Sequence, residues 1–259
     1  MANPYRTRFS GAPLMGGLTP AVKWLLIVNT AIFLIAFLSR NLDATLVNYF
    51  GLTPVSVLHL AVWQLFTYMF LHSTAGFTHI LMNMLTLWMF GVPLESAWGS
   101  RRFLRFYFFC GIGAGVAVVV LNYLLPGGRP EVPTIGASGA LYGLLLAFGL
   151  VFPDARILFF FIFPIQARVY VWIMVGILLL TAWGSGIGGP VSTIAHLGGM
   201  ACGYLFLKLG LDRARWPEFN PAESIDSWYK DWKMRRAKRK FQVYLKKHGQ
   251  GPRDDRWVN

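Results

Sequence analysis

The sequence predicts an all-α membrane protein, a bundle of six transmembrane helices with a half-embedded first loop. Of its 259 residues, 55% are hydrophobic and only 14% are charged, whereas charged residues make up about 25% of a soluble domain. Apolar stretches close to the length that spans a bilayer, about 20 residues, alternate with breaks rich in Gly, Pro or charge. They cover residues 21–39, 77–98, 103–125, 135–152, 167–184 and 193–211.

The distribution of Lys and Arg predicts the orientation of these helices, because cytoplasmic flanks carry the basic excess. Basic residues precede helix one, separate helices two and three, and precede helix five: Arg6, Arg8, Lys23, Arg101, Arg102, Arg105, Arg156 and Arg168. Both termini are therefore expected in the cytoplasm, with residues 1–19 as a short cytoplasmic segment. Helix one has no small-residue cleavage site after it, which favours a permanent anchor over a signal peptide. With no transit peptide and no extra helix, we expect a multi-pass protein of a prokaryotic inner membrane.

Residues 42–76, between helices one and two, are semi-apolar but interrupted by Pro54, Gln64 and Gly76. We expect this first loop to lie in the outer interface, pack against the bundle and help to wall a wet cavity. The reason is that irregular backbone at membrane depth needs protein or water to satisfy its polar groups. The histidines of this loop, His59 and His72, are interpreted as structural.

The apolar run 157–163 is interpreted as the lead-in to helix five, since Pro164 and Arg168 follow it directly. Cys110 and Cys202 lie inside apolar stretches, where a thiol is an ordinary packing residue. The sequence contains no CxxC pair and no HExxH motif, so no metal site and no cofactor are predicted.

The segment after helix six, residues 212–259, is expected to be a basic cytoplasmic tail. It holds 13 of the 24 Lys and Arg residues. Such a cluster beside a cytoplasmic leaflet attracts anionic lipid, and it is equally typical of a solvated tail that obeys the positive-inside rule. A net charge of +13 would suggest nucleic acid in a soluble protein. Here the charge follows the membrane flanks, so nucleic acid is not an expected partner.

Four polar residues of the apolar stretches fall at one predicted depth. His79 and Asn83 lie near the start of helix two, Ser138 near the start of helix four and His196 near the start of helix six. Even-numbered helices begin at the outer face, so all four residues are expected in the outer half of the membrane. A polar residue inside a membrane is a functional candidate by default. The i, i+4 spacing of His79 and Asn83 also puts both on one helix face.

The predicted position of Ser138 suits nucleophilic chemistry. The first turn of a helix has unpaired N–H groups and the positive end of the helix dipole. Both favour negative charge that develops on an oxygen beside the serine, as acyl transfer requires. His196 can take the serine proton. The glycines at 136, 139, 143, 199 and 203 allow helices four and six to approach closely, which a hydrogen bond between Ser138 and His196 needs.

Together these residues resemble the rhomboid family of intramembrane serine proteases over roughly residues 20–211. The resemblance rests on three motifs: His79-Ile80-Leu81-Met82-Asn83, Gly136-Ala137-Ser138-Gly139 with Tyr142, and Ala195-His196 with Gly199. It implies a rhomboid-like catalytic domain at 20–211 with a Ser138/His196 dyad and no third, acidic member. It further implies an oxyanion site formed by Asn83, His79 and the Ser138 N–H group. Tyr142 is implied to pack against His196, with Gly136 and Gly199 supporting the dyad.

Two further stretches of the sequence can be compared with the rhomboid family pattern. Glu95-Ser96-Ala97-Trp98-Gly99 resembles the Glu-x-x-x-Gly element that ends helix two in the family, which implies a structural role. The first loop departs from the family pattern, because Trp63-Gln64 stands where the family often has Trp-Arg. That departure concerns the arginine-dependent contacts of the loop and leaves the predicted chemistry unchanged.

The expected function is therefore that of an intramembrane serine endopeptidase that cleaves single-span transmembrane substrates near the outer face through an acyl-enzyme. Helix five and the Gly-rich loop 184–190 are the expected mobile gate. The alternative is a catalytically inactive rhomboid-like protein that binds membrane clients. A transporter would need polar residues at the midplane and paired broken helices, neither of which is evident. An aspartyl mechanism would need an acidic pair, and Glu95 is the lone carboxylate in the apolar core.

Overall fold

A computed structural model describes residues 17–125, 127–159, 163–184, 191–211 and 234 of the chain. The chain divides into two compact units, Met1–Arg215 and Trp216–Asn259. All described residues except residue 234 belong to the first unit. Most of the predicted cytoplasmic segment 1–19, nearly all of the predicted tail 212–259 and most of the predicted gate loop 184–190 lie outside the described residues.

The described part of the first unit is mostly helical. Its elements are α1 (Pro20–Phe37), α2 (Arg40–Phe50), α3 (Pro54–Leu58), α4 (Gln64–Thr67), a 3-10 turn (Tyr68–Phe70), α5 (Thr78–Trp98), α6 (Ser100–Leu124), α7 (Ser138–Val151), the strands β1 (Arg156–Phe159) and β2 (Phe163–Gln166), α8 (Ala167–Gly184) and α9 (Val191–Leu209). A helix thus covers each of the six predicted apolar stretches. Among the described helices, α1, α5 and α6 are long and apolar enough to cross a membrane, and α7 and α8 are shorter apolar helices.

The start of α1 is held by a carboxylate from another helix. Glu95, in the last turn of α5, is buried and accepts hydrogen bonds from the backbone N–H groups of Ala21 (2.8 Å) and Val22 (2.9 Å). These are among the N–H groups that a helix cannot satisfy internally, and a negative group there also complements the helix dipole. The Ser100 hydroxyl donates to the same carboxylate. Glu95 therefore has the structural role that the resemblance implied.

The first loop packs against the bundle, as predicted. Leu52 and Thr134 exchange two backbone hydrogen bonds, of 2.9 and 2.8 Å, and the Gly136 N–H donates to the Tyr68 carbonyl at 2.9 Å. The buried Tyr68 hydroxyl in turn donates to the Gly111 carbonyl on α6 at 2.7 Å. The loop thereby supports the segment that leads into α7.

The Gln64 side chain hydrogen-bonds to backbone groups inside this loop. Its side chain is buried, and its amide oxygen accepts the Thr53 N–H at 3.0 Å. Its amide nitrogen donates to the carbonyls of Asn48 (3.4 Å) and Tyr49 (3.3 Å). A neutral amide can both donate and accept, so Gln64 joins the end of α2 to the start of α3 without burying a charge.

The lead-in to α8 differs from the expectation. Residues 156–159 and 163–166 pair as an antiparallel two-stranded hairpin, with Arg156 opposite Gln166 and Phe159 opposite Phe163. The all-α prediction is therefore wrong for this short segment. A short apolar run does not by itself distinguish a strand from a helix, and the pairing partner of β1 lies in the residues that we expected to continue toward helix five.

The core lies where α6, α7 and α9 meet. Ten of the 14 residues of α7 are buried, and glycines let α7 and α9 touch through their backbones. A Cβ atom placed on Gly199 would collide with the backbone of Gly139, and one on Gly203 would lie 3.3 Å from the Gly143 backbone. The predicted close approach of helices four and six is confirmed at these positions. The glycine at 136 differs from them, because its contacts are with α5.

Candidate active site

Ser138 and His196 are 58 residues apart in sequence, and their side chains are hydrogen-bonded in the structure. The Ser138 Oγ lies 2.8 Å from the His196 Nε2. Ser138 is the first residue of α7, as predicted for its place in the first turn, and His196 lies in the second turn of α9. The glycine contacts between these two helices bring the hydroxyl and the ring within hydrogen-bond reach, which is the geometry that a nucleophile and its base require.

Tyr142 lies directly against the imidazole of His196. The two rings stack with centroids 4.1 Å apart and an interplanar angle of 24°. Since Tyr142 is one turn after Ser138 on α7, the same helix carries the serine and one wall of the histidine pocket. Among the described residues no carboxylate bonds to His196, and the stack on Tyr142 restrains the ring in addition to the Ser138 contact.

His79, Asn83 and Gly136 meet beside Ser138. Gly136 has φ +122°, and a Cβ atom added there would lie 2.9 Å from the His79 Nε2 and 3.8 Å from the Asn83 Nδ2. A side chain at 136 would therefore be strained in its backbone and would collide with His79. The Asn83 side chain is 7% exposed, and its Nδ2 has no hydrogen-bond partner among the described residues. A buried, unpaired donor is costly, so Asn83 presents an N–H group that is available to an added acceptor.

A cavity opens from Ser138 between three helices. Its volume is about 80 Å³, and its lining residues come from α5, α7 and α8: Asn83, Thr86, Phe90, Ser138, Leu141, Tyr142, Leu145, Tyr170 and Met174. This space exceeds what a single water molecule requires. The lining of this cavity contains no residue of the first loop. The loop acts instead on the segment before α7.

Sequence reasoning missed several residues around this site. Tyr68 supports Gly136 through its backbone carbonyl, and a backbone contact leaves no signature in the side-chain pattern. Phe90 and Tyr170 stack across the cavity with centroids 6.1 Å apart, yet both read as ordinary apolar residues of their helices. Ser73 donates its backbone N–H to the His79 Nδ1 at 3.3 Å, which no spacing rule predicts.

The rhomboid domain family matches residues 59–213 of this chain. That range contains every element of the site just described. The chain belongs to the rhomboid family. It is therefore an integral membrane protein, as both the family and its apolar helices indicate.

Individual relatives agree with this assignment. The chain is 35% identical over 133 residues to the mitochondrial Rhomboid protein 1 of Saccharomyces cerevisiae. The matched stretch covers 50% of this chain and 37% of the relative. It is 33% identical over 156 residues to the rhomboid protease GluP of Bacillus subtilis, covering 59% of this chain and 27% of the relative. RHOMBOID-like protein 1 of Arabidopsis thaliana is 32% identical over 160 residues, covering 61% and 37%. The chain thus matches well under half of the length of each of these relatives.

Proposed function

We propose that this rhomboid is an intramembrane serine endopeptidase that cleaves single-span transmembrane proteins near the outer membrane face. The observation that carries the proposal is the 2.8 Å contact between the Ser138 Oγ and the His196 Nε2. It is supported by the stacked Tyr142 and by the Asn83 Nδ2, which has no hydrogen-bond partner among the described residues. A rhomboid relative that is named a protease is consistent with the same chemistry.

In the first half of the proposed reaction, the Ser138 oxygen attacks a substrate carbonyl carbon while the His196 Nε2 takes the hydroxyl proton. The tetrahedral intermediate places negative charge on the former carbonyl oxygen. We assign its stabilisation to the Asn83 Nδ2, the His79 Nε2 and the Ser138 backbone N–H. Each preorganised donor of this kind contributes about 10²–10³ in rate in a well-studied serine protease. His196 then gives its proton to the leaving amine, the C–N bond breaks and an acyl-enzyme on Ser138 remains.

In the second half, water attacks the acyl carbon and His196 takes its proton. The bond to the Ser138 oxygen breaks, and the serine regains its proton from His196. The cavity beside Ser138 has room for this water. We propose that a side chain of the substrate occupies the same cavity during acylation. Its small volume favours small residues at the cleaved bond, and such residues also suit a helix that must unwind locally.

The membrane arrangement that we propose has six spans formed by α1, α5, α6, α7, α8 and α9, with the first loop half-embedded in the outer leaflet. The catalytic domain covers residues 20–211, and the flanking segments 1–19 and 212–259 are cytoplasmic. We further propose a prokaryotic inner membrane, and contact of the basic tail with anionic lipid. The positions of Lys and Arg in the sequence support this orientation. Substrates are proposed to enter beside α8, the side on which the cavity lies.

Cleavage in proteoliposomes tests the proposal. Purified protein is reconstituted with a single-span substrate, and wild type is compared with Ser138→Ala and His196→Ala. Both variants should lose cleavage, because removing either member of such a unit removes most of the catalysis. Ser96→Ala and His59→Ala are matched controls, since their side chains bond only to backbone carbonyls of their own helices. Cleavage that persists in Ser138→Ala would refute the proposal.

A fluorophosphonate probe separates the enzyme from the alternative, an inactive rhomboid that binds membrane clients. The probe phosphonylates an activated serine, so the wild type and Asn83→Ala should be labelled and Ser138→Ala should not. A wild type that neither takes the label nor cuts any of several substrates, while still binding them, would favour the client-binding protein.

A further inference from the structure

A backbone N–H group of the loop before α5 hydrogen-bonds to one ring nitrogen of His79, the histidine assigned to the oxyanion site. The Ser73 N–H donates to the His79 Nδ1 at 3.3 Å. A neutral imidazole carries one proton, and a ring nitrogen that accepts a hydrogen bond cannot hold it. His79 therefore carries its proton on Nε2. The Nε2 is the atom that faces Gly136, on the side where the unpaired Asn83 Nδ2 also lies.

This tautomer decides whether His79 can serve the site. With the proton on Nε2, His79 and Asn83 present two N–H donors at the same place, beside Gly136. With the proton on Nδ1, the Nε2 would present a lone pair and would repel a negatively charged oxygen. Both tautomers of a free imidazole are accessible, so the partner of the other nitrogen selects between them. The Ser73 N–H makes that selection here.

Ser73 is itself held by a tether from α2. The loop from residue 71 to residue 77 contains no helix or strand. The next residue, Thr74, donates its hydroxyl to the Asp43 Oδ2 at 2.8 Å, and Asp43 lies in the first turn of α2. Within the loop, the Ala75 N–H donates to the Ser73 Oγ at 3.4 Å. The Thr74–Asp43 bond, between residues 31 positions apart, thus ties this loop to α2, while Phe77 at the end of the loop packs against Phe33 and Phe37 of α1.

Packing leaves His79 little freedom to turn away from the Ser73 N–H. The ring of the buried His72 lies against it, with centroids 5.1 Å apart and planes at 60°. The Nε2 and Cε1 atoms of the ring lie beside Gly136. The ring is therefore confined between the loop and the segment before α7, and a shift of Ser73 would change the hydrogen bond before it moved the ring.

We propose that Asp43 and Thr74 are positioning residues, whose hydrogen bond holds the Ser73 N–H on the His79 Nδ1 and so keeps the Nε2 of His79 a donor to the oxyanion. The inference rests on the proposed function, because the tautomer has a catalytic meaning only if His79 contacts the oxyanion. Neither Asp43 nor Thr74 touches the substrate in this scheme. Both act through the backbone of Ser73.

The test uses the full-length protein labelled with ¹⁵N-histidine in lipid. Protonated and unprotonated imidazole nitrogens have well-separated ¹⁵N shifts, and the His79 signals are those that vanish in His79→Gln. The wild type should show a single His79 tautomer with Nε2 protonated. Thr74→Val and Asp43→Ala should show both tautomers. Their kcat should fall about fivefold, the worth of one net hydrogen bond, with KM little changed.

Two variants control for general damage. Thr74→Ser keeps the hydroxyl and should restore the wild-type spectrum and kcat. Thr45→Val also removes a threonine hydroxyl from this region, but that hydroxyl bonds only to the Asn41 carbonyl of its own helix, so it should leave both readouts unchanged. A His79 protonated on Nδ1 in the wild type would overturn the proposal. So would a single Nε2-protonated form with unchanged kcat in Thr74→Val and Asp43→Ala.

The spectrum does not depend on proteolysis, so the two ideas can fail separately. If Thr74→Val changes the His79 tautomer but the wild type cleaves no substrate, the proposed function is refuted and the positioning role of Asp43 and Thr74 stands. If cleavage depends on Ser138 but Thr74→Val and Asp43→Ala change neither the cleavage rate nor the spectrum, only the positioning role of Asp43 and Thr74 is refuted.

Discussion

The side of α7 that faces α9 and the side that faces α8 are packed differently. Toward α9, Gly139 and Gly199 bring the two backbones into contact. Toward α8, a Cβ atom added to Gly149 would lie 2.5 Å from Val171, but large α8 side chains outside the cavity lining are exposed, Trp172 and Leu180 at 74% and Trp183 at 89%. A Cβ atom added to Gly176 of α8 would meet nothing within 4 Å. Under the proposed function, the side toward α9, called the fixed side, holds Ser138 and His196 in register, and the side toward α8, called the open side, admits the substrate.

The largest expected effect comes from a methyl group on the fixed side. Gly199→Ala should reduce cleavage at least about 100-fold, because the added Cβ would drive α9 away from the Gly139 backbone, and a displacement near 1 Å can cost about that factor. Cleavage in proteoliposomes and the rate of fluorophosphonate labelling would measure it. Gly176→Ala makes the same chemical change on α8 and should keep wild-type rates. Equal losses in the two variants would contradict the contrast between the two sides.

An effect of comparable size concerns the Asn83 Nδ2, which lies at the boundary between the two sides and has no hydrogen-bond partner among the described residues. Asn83→Ala should lower kcat by about 10²–10³, since it removes one oxyanion donor, while labelling of Ser138 remains detectable. Steady-state kinetics on a transmembrane substrate would measure it. Asn41→Ala, at an exposed position of α2, is the control and should have little effect. A kcat near that of the wild type in Asn83→Ala would remove Asn83 from the oxyanion site.

The smallest effect is expected on the open side. Tyr170→Leu removes the stack that joins α8 to Phe90 across the cavity. We expect this stack to oppose substrate access. An aromatic pair contributes about 0.5–1.5 kcal/mol beyond its burial, so kcat/KM for a transmembrane substrate should rise about threefold. Labelling by a small fluorophosphonate needs no movement of α8 and should stay within about twofold of the wild-type rate. Tyr204→Leu, at an exposed position of α9, is the matched control.

A fall in cleavage by Tyr170→Leu, with unchanged labelling, would reverse the assignment of the open side. Tyr170 would then contribute to substrate binding more than it restrains access. A fall in both readouts would mean that Tyr170 helps to hold α7 itself, and the contrast between the two sides of α7 would be lost.

Much of the helical framework could be predicted because its causes are local. A run of about 20 apolar residues favours a helix whatever its neighbours do, and each of the six predicted runs contains a helix. The pairing of residues 156–159 with 163–166 escaped prediction because strand pairing depends on a partner, and this apolar run also fits the start of a helix. Gln64 escaped for a related reason, since its three bonds reach backbone groups between 11 and 16 residues away.

The sequence by itself determined which side chains are available for chemistry, since His79, Asn83, Ser138 and His196 are polar groups in otherwise apolar helices and sit near helix starts. It also determined the face shared by His79 and Asn83, because helical periodicity is local. Only the tertiary structure decided the rest. The 2.8 Å contact between Ser138 and His196 spans 58 residues, and the Asp43–Thr74 bond spans 31. Such distances arise from backbone contact and packing between separate elements, which no local periodicity encodes.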